Sequence, residues 1–505
     1  MEEVNSQKDF DVSADGSGAK LQGQEGMDIE TVKKRSLIGV VSFFSRTILL
    51  TGVTLVAQLL LAAKLSPEDF GIYGIVVTIT NFFTIISDIG LAASLIQKKT
   101  APTVTELRTT FTVQQTLSWF IFVLIAATSS LLHSYGKLDT QGVYLALAFG
   151  LSFPIVSLKT ISSILLEREL AFGKLVIPAI IETIVFNIIA VTLAFNGYGV
   201  MSFTIAVLVK AIVGVLVMFC IKRWEMGIAL SLSSLKELLK VGGAFQLNDM
   251  LAKAKDDVFY ITVAILIPAR EYGYVTWAKQ WSRLPYSLTV DNVTALTFPA
   301  FSRLQHDKNL LRRAIEKSLF FITLLAFPLF AGISVMIFPI LVLVPEYEKW
   351  RPAILSLILF CISLAFAAFS TPLINTLNAI GKISESLRMM IFWTISQWML
   401  FPFFFRWFGY ESVAIIGVVL ALTSLFVVLL VKKYVEFSFL ENIWRQVFAT
   451  LVMAVTLFST QAIWQISFMH FFIGVLVGVC VYTAMILLLG YSTVKREVFS
   501  LLKKQ

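Results

Sequence analysis

Apolar residues follow one another along this chain in long, nearly uninterrupted runs that are separated by short polar segments. Each run is about 20 residues long, the length that an α-helix needs to cross the hydrocarbon of a bilayer. The pattern predicts an all-α membrane protein with about fourteen transmembrane helices. The predicted segments, numbered one to fourteen, are 37–62, 71–95, 109–132, 142–165, 174–195, 199–221, 239–267, 272–298, 315–343, 352–379, 386–405, 411–431, 443–465 and 469–491.

Composition excludes a soluble protein. Of the 505 residues, 57% are hydrophobic and only 14% are charged, whereas soluble domains carry about 25% charged residues. The three cysteines lie in apolar runs and the three histidines are scattered, so neither a disulfide framework nor a metal site is indicated. A Gly-rich phosphate-binding loop is also missing, which argues against ATP hydrolysis. Residues 1–32 are polar and are predicted to be a disordered cytoplasmic tail.

The loop charges predict how the chain is oriented. If the N-terminus is cytoplasmic, the inside positions from Lys33 onward hold 26 Lys and Arg residues and the outside loops hold six. This asymmetry is typical of a multi-pass protein of the cytoplasmic (inner) membrane with both termini inside, and the formal charge of +9 is explained by it rather than by nucleic-acid binding. All predicted outside loops are short, which leaves no room for an external catalytic domain. We therefore expect no enzymatic activity.

Basic side chains within the apolar segments are the strongest functional signal. A charge at the bilayer centre costs at least about 2.5–3.5 kcal/mol, so it is retained facing a cavity or a partner. Arg46 and Lys210 are predicted near mid-depth, and Asp88 is a candidate partner of Arg46. Lys159 lies nearer a segment end, where snorkelling to the interface explains it as well as function does. The seven embedded bases are Arg46, Lys159, Lys210, Lys253, Lys255, Lys279 and Arg283.

Segment seven holds acidic residues at helical spacing. Asp249, Lys253, Asp256 and Asp257 fall at i, i+4, i+7 and i+8, on one face of a helix. Two interpretations stay open. The charges form internal salt bridges along a cavity wall, which would also satisfy Lys253 and the nearby Lys255, or they form a site that couples transport to H⁺ or Na⁺.

Segment eight carries Lys279 and Arg283 at i and i+4. Two like charges on one helical face need an anion beside them, and the guanidinium fork suits phosphate oxygens. A phosphate-bearing cargo is the preferred interpretation, and Asp249 or Asp256 is the structural alternative. Trp277 and Trp281 flank Lys279, in positions where they could stack on sugar rings.

Several sequence motifs resemble one transporter family. They are LSPEDFGIYGIVVTITNFFTIISDIGLAASLIQKK at 65–99, TFPAFSRLQHDKNLLRRA at 297–314, EYEKWRPAILSLIL at 346–359 and TPLINTLNAIGK at 371–382. In this order and spacing they resemble Wzx-type polysaccharide flippases, most closely the colanic-acid exporter-like branch. This family belongs to the multidrug/oligosaccharidyl-lipid/polysaccharide exporter superfamily.

The resemblance implies an architecture and a function. It implies two six-helix lobes around a central cavity, with the N-lobe at 33–222, the C-lobe at 223–434, and two appended helices and the cytoplasmic C-terminus at 435–505. It also implies ion-coupled alternating access that moves undecaprenyl-pyrophosphate-linked oligosaccharides to the outer leaflet for O-antigen, capsule or exopolysaccharide synthesis. The implied partners are the lipid-linked oligosaccharide, membrane lipids, and the polysaccharide polymerase and chain-length machinery, with no nucleic acid.

The predicted site follows from the embedded charges. Cargo pyrophosphate is assigned to Arg46, Lys210, Lys279 and Arg283. Ion coupling or charge neutralisation is assigned to Asp88, Asp249, Asp256 and Asp257. No cofactor, metal or catalytic residue is expected beyond H⁺ or Na⁺. The alternatives are an ion-coupled small-molecule or multidrug antiporter, a membrane polymerase or glycosyltransferase, and a protein whose embedded charges are all merely paired.

Overall fold

The computed structural model describes residues 50–87 and 89–502, without the side chains of residues 85, 86, 241–255, 296 and 491–502. Over this part of the chain the secondary structure is helical, with no β-strand. The helices are α1 (Leu50–Lys64), α2 (Pro67–Ser87), α3 (Leu91–Gln97), α4 (Val104–Ser134), α5 (Thr140–Ser157), α6 (Thr160–Arg168), α7 (Phe172–Phe195), α8 (Met201–Ile221), α9 (Leu232–Leu266), α10 (Ala269–Tyr286), α11 (Asn292–Leu304), α12 (Lys308–Leu343), α13 (Ile354–Ala379), α14 (Ile383–Phe408), α15 (Ser412–Leu422), α16 (Leu425–Lys432), α17 (Phe439–Ser459), α18 (Gln461–Trp464) and α19 (Phe468–Leu502).

The helices follow the predicted apolar segments. Each segment within the described residues coincides with one helix or with two or three consecutive helices. By length and composition, eight helical stretches of the described chain are apolar enough to cross a membrane. The all-α membrane architecture is therefore confirmed, while the count of fourteen spans stays a prediction.

Some predicted segments are broken into two helices for local reasons. Gly90 adopts a left-handed conformation (φ 85°) between α2 and α3, which glycine tolerates because it has no Cβ. Pro285 near the end of α10 lacks an N–H group, and a π-helical turn, Ser287–Asp291, follows before α11 begins. This turn determines where Asp291 lies relative to Arg283.

Helices α2 and α10 begin side by side and approach very closely. A Cβ atom added to Gly71 would overlap the carbonyl group of Ala269, and one added to Gly273 would overlap the carbonyl group of Pro67. Each helix thus places its fifth residue against the first residue of the other. Only glycine permits backbones to meet at this separation, so these two positions fix the crossing of the first and second halves of the chain.

The end of the bundle at which α1 ends and α2 and α10 begin, here called the Lys64 end, is closed. A 3₁₀ segment, Pro345–Ala353, lies across the last turn of α1. Its side chains hydrogen-bond to three carbonyl oxygens there: Tyr347 Oη to Leu59 at 2.8 Å, Lys349 Nζ to Ala63 at 2.7 Å and Trp350 Nε1 to Ala62 at 2.8 Å. The last four carbonyls of a helix lack intrahelical partners, and the bonds to Ala62 and Ala63 satisfy two of them.

At the opposite end, here called the Lys98 end, the first turns of α9 pack on α3 and α4. The Ser94 hydroxyl donates to the carbonyl oxygen of Leu238 at 2.5 Å. Lys98 forms an ion pair with Glu106 in the first turn of α4 and lies 3.5 Å from Glu237 in α9. The start of the second half is therefore held against the first half at this end too.

Candidate functional site

A polar cleft lies between α1, α7 and α10. It has a volume of about 350 Å³. Its lining is mostly polar and comes from three helices and the π turn: Leu50, Thr51, Thr54, Gln58, Thr183, Gln280, Arg283, Leu284 and Ser287.

A second cavity lies among the helices of the second half. Its volume of about 590 Å³ is in the range typical of small-molecule sites. The charged lining residues are Asp256, Asp257, Lys279 and Arg283. Neutral hydrogen-bonding and aromatic residues complete the polar wall: Tyr260, Ser282, Ser363, Ser370, Thr371, Asn375, Trp393, Gln397 and Ser424. Arg283 lines both this cavity and the polar cleft, so one guanidinium group connects the two spaces.

Arg283 has two neighbours that fix its position. Its Nη2 lies 2.9 Å from Oδ2 of Asp291, and its guanidinium carbon lies 4.6 Å from the ring centroid of Tyr286. The Tyr286 hydroxyl is in turn 2.7 Å from Oγ1 of Thr371 in α13. The carboxylate beside Arg283 thus comes from its own segment, because the π turn brings Asp291 to it. The sequence contained this signal, as Asp291 lies eight residues after Arg283 in the same apolar segment.

Lys279 sits over an aromatic ring. Its Nζ lies 3.2 Å from the ring centroid of Tyr260, which is one helical turn after Asp256 and Asp257 on α9. All four side chains line the second-half cavity. Among the described residues, the predicted bases of segment eight therefore share their surroundings with carboxylates, and the site is mixed in charge rather than uniformly cationic.

Lys210 belongs to a different cluster, in the first half. Its Nζ lies 5.5 Å from the ring centroid of Phe186, and it lines neither the polar cleft nor the second-half cavity. Nearby, Lys159 forms an ion pair with Glu182, and the two side chains are only 15% and 13% exposed. Snorkelling of Lys159 to the interface is therefore a wrong prediction. A Cβ on Gly214 would overlap the Glu182 carboxylate, so this glycine makes room for the pair.

The side chains of the remaining predicted site residues are not described by the structure. Arg46 and Asp88 lie outside the described residues, as do the side chains of Asp249, Lys253 and Lys255. Their assignments stay predictions.

The two predicted sugar-stacking tryptophans have different surroundings. Trp277 is fully buried and stacks in parallel on Trp350, with ring centroids 5.1 Å apart. It is therefore unavailable to a cargo, and that expectation is wrong. Trp281 lines an apolar groove of about 660 Å³ that lies among α12, α17 and α19 and also includes Leu59 of α1.

The groove and the cleft lie on neighbouring faces of the same two helices. On α10, Gln280 lines the cleft and Trp281 lines the groove. On α1, Gln58 lines the cleft and Leu59 lines the groove. A polar space and an apolar space thus adjoin, with Arg283 on the polar side.

Known proteins resemble this chain in sequence and in fold. The succinoglycan biosynthesis transport protein ExoT of Rhizobium meliloti (strain 1021) is 23% identical over 336 residues, which are 66% of either chain. The lipopolysaccharide biosynthesis protein WzxC of Escherichia coli (strain K12) is 23% identical over 374 residues, covering 72% of this chain and 74% of that protein. The fold is similar to that of the lipid II flippase MurJ in an inward closed conformation, with a TM-score of 0.70 at 17% identity, over 90% of this chain and 99% of MurJ.

The sequence profile of one family covers more than half of the chain. It is described as "polysaccharide biosynthesis protein" and matches residues 60–355, which include the paired glycines of α2 and α10, Arg283 and the 3₁₀ segment. The resemblance noted from the sequence motifs is thereby confirmed, and the chain belongs to the polysaccharide biosynthesis protein family of membrane transporters.

Proposed function

We propose that this protein flips lipid-linked saccharide units across the cytoplasmic membrane for O-antigen, capsule or exopolysaccharide synthesis, and that it carries out no catalysis. One observation carries the proposal. Arg283 borders two polar cavities, and an apolar groove adjoins them on the same two helices. A polyprenyl-pyrophosphate-linked oligosaccharide has matching parts: a phosphate group, a hydroxyl-rich glycan and a long hydrocarbon chain.

Each part of such a cargo finds suitable chemistry. The guanidinium of Arg283 offers N–H donors to phosphate oxygens. Side chains such as Ser363, Asn375 and Gln397 offer hydroxyl and amide groups to sugar hydroxyls in the second-half cavity. The groove between Trp281 and the last helices offers an apolar surface to the lipid chain, which then stays in a hydrocarbon-like environment while the headgroup crosses.

The direction of transport follows from the predicted orientation. The loop charges place the Lys98 end at the cytoplasm and the Lys64 end outside. The Lys64 end is closed by α2, α10 and the 3₁₀ segment, so we assign this conformation to the stage before release of cargo. The names of ExoT and WzxC, a succinoglycan transport protein and a lipopolysaccharide biosynthesis protein, support a saccharide cargo. The polysaccharide polymerase and chain-length machinery are the proposed partners after release.

The energy source is proposed to be an H⁺ or Na⁺ gradient acting at Asp256 and Asp257. Both carboxylates line the second-half cavity with Lys279, so a cation bound there changes the charge next to the cargo site. Asp88 and Asp249 are kept as further candidates for this role, and Arg46 and Lys210 as further candidates for contact with the cargo.

A small-molecule antiporter is the second candidate. It is favoured by the same two carboxylates, since a carboxylate in a cavity attracts a cationic drug. Drug-susceptibility testing of an expressing strain separates the candidates: resistance that depends on Asp256 and Asp257 would support the antiporter.

The test of the flippase uses a strain from which the gene has been deleted. We expect lipid-linked oligosaccharide to accumulate in the cytoplasmic leaflet and to be cleared when the wild-type gene is restored.

Arg283→Ala is expected to leave the accumulation in place at normal expression. Arg406→Ala is the matched control, because Arg406 is an exposed residue in the last turn of α14. Normal export by Arg283→Ala would refute the proposed role of this residue, and absence of accumulation in the deletion strain would refute the function.

A further inference from the structure

We propose that Asp291 is a built-in counter-ion that occupies the anion site of Arg283 while no cargo is bound and that cargo phosphate displaces it. This inference rests on the proposed function and adds to it the step by which the empty site is restored. Asp291 thereby acts as a positioning residue that competes with cargo for one guanidinium group.

The helix break places Asp291 where it can compete. In a continuous α-helix, residues eight apart are separated by about 12 Å along the axis. The π turn at Ser287–Asp291 widens the helix after Pro285, and the long side chain of Arg283 reaches down to the carboxylate. The resulting contact between Nη2 and Oδ2 is 2.9 Å, a normal ion-pair distance.

The ion pair is accessible rather than sealed in the protein. The side chains of Arg283 and Asp291 are 55% and 46% exposed, and Arg283 faces two cavities. Exposed pairs of this kind contribute little to stability, so replacing the carboxylate by another anion costs little free energy. A buried and fully desolvated pair would not exchange in this way.

Arg283 can also accept a better partner without moving far. The Asp291 contact joins one nitrogen to one oxygen, whereas a phosphate can accept two parallel N–H groups from the guanidinium fork. The ring of Tyr286 supports the guanidinium group, and its hydroxyl is anchored to Thr371. The arginine therefore stays in position when its counter-ion is exchanged.

Competition predicts opposite effects on binding and on release. Without the carboxylate, phosphate binds more tightly because nothing competes for Arg283. Release then slows, because Asp291 is no longer present to reclaim the guanidinium group. A residue that merely stabilises the helix break would produce neither effect.

The experiment measures binding of inorganic pyrophosphate to the purified full-length chain in lipid nanodiscs by calorimetry. Asp291→Asn is expected to bind it roughly 2- to 5-fold more tightly than wild type, the factor that corresponds to an exposed ion pair. Asp307→Asn is the matched control: it removes the same charge at the N-cap of α12, where asparagine also caps well, and should leave binding unchanged. Asp291→Ser serves as a second neutral variant if the first does not fold.

Export in the deletion strain gives the second readout. Asp291→Asn is expected to lower both the half-saturating cargo level and the maximal rate, whereas Asp291→Glu retains wild-type behaviour. Binding by Asp291→Asn that is equal to or weaker than wild type would overturn the counter-ion role and leave the flippase proposal standing. Absence of lipid-linked oligosaccharide accumulation in the deletion strain would instead count against the flippase proposal itself.

Discussion

The indole N–H of Trp350 donates a 2.8 Å hydrogen bond to the carbonyl oxygen of Ala62. The same indole stacks on Trp277 of α10, with ring planes only 8° apart. One fully buried side chain therefore fastens the end of α1 to the second half of the chain at the Lys64 end. A flippase that releases its cargo at this end must break these contacts in every cycle.

Replacing Trp350 by phenylalanine removes the hydrogen bond but keeps an aromatic ring. We expect the conformation in which the Lys64 end is closed to be destabilised by about 0.5–1.5 kcal/mol relative to the open conformation. Opening can be followed by maleimide labelling of Leu65→Cys, a position 2% exposed at this end, in a background with Cys220 and Cys480 changed to serine. Trp464→Phe is the control, because Trp464 also donates to a carbonyl oxygen, that of Leu457, but this bond stays within the α17–α18 region and does not contact α1. Equal labelling of the two variants would contradict the role given to Trp350.

A methyl group at the crossing of α2 and α10 should separate the two helices. Gly71→Ala and Gly273→Ala each place a Cβ against a backbone carbonyl, which cannot move aside as a flexible side chain can. We expect each variant to lose roughly 1–3 kcal/mol, the usual effect of overpacking, measured as a lower midpoint of thermal unfolding in detergent. Gly173→Ala, which adds its Cβ to open space, should not change the midpoint.

In the charge cluster of the first half, removing the acidic residue should destabilise the protein more than removing one of the basic residues. Glu182→Gln leaves Lys159 and Lys210, which repel each other, without the Glu182 carboxylate, whereas Lys159→Met leaves Glu182 with Lys210 still nearby. Removing one partner of a buried pair costs about 3–5 kcal/mol. We expect Glu182→Gln to show this loss in thermal unfolding and Lys159→Met to show clearly less. The reverse order would mean that Lys210 does not act on Glu182.

The ion pair at the Lys98 end should make stability depend on pH. Partial burial by itself raises the pKa of the Glu106 carboxyl, but the hydrogen bonds from Lys98 and the Thr103 backbone outweigh it, so this pKa lies below the ordinary 4.5. The hydrogen bond to Glu106 raises the pKa of Lys98 above 10.5.

The sign of each shift sets the pH window. A lowered carboxyl pKa stabilises the fold above pH 4.5, and this contribution is lost as the pH falls through the folded-state value. A raised lysine pKa stabilises the fold below pH 10.5, and this contribution is lost only at higher pH. Glu106→Gln should therefore destabilise the protein throughout the window between these values and converge on wild type in acid. A constant difference between the two proteins down to pH 3 would contradict the assignment.

Filling the apolar groove should block transport without affecting the phosphate site. Gly332 lines the groove, and nothing lies within 4 Å of a Cβ placed there. We expect Gly332→Trp to prevent clearance of lipid-linked oligosaccharide while inorganic pyrophosphate still binds with wild-type affinity. Gly332→Ala is the control and should support normal export. Normal export by the tryptophan variant would show that the lipid chain travels elsewhere.

Hydropathy determined the positions of the helices because it is a local property of the chain. Membrane-spanning helices satisfy their own backbone groups, so a sufficiently long apolar run such as 199–221 or 352–379 predicts a helix without knowledge of its neighbours. The motif at 346–359 indicated the family for the same reason: it can be read along the sequence. Lys279 and Arg283 of segment eight could also be identified from the sequence, because a charged side chain within an apolar segment is energetically costly.

Tertiary structure decided which partner each embedded group has. The pairing of Lys159 with Glu182 joins residues 23 positions apart, and the burial of Trp277 depends on Trp350 from a distant segment. Such contacts depend on helix packing, which hydropathy does not encode. Even within one segment the sequence did not determine the partner of Arg283. Asp291 lies eight residues further along the same segment, but only the π turn after Pro285 brings its carboxylate to the guanidinium group.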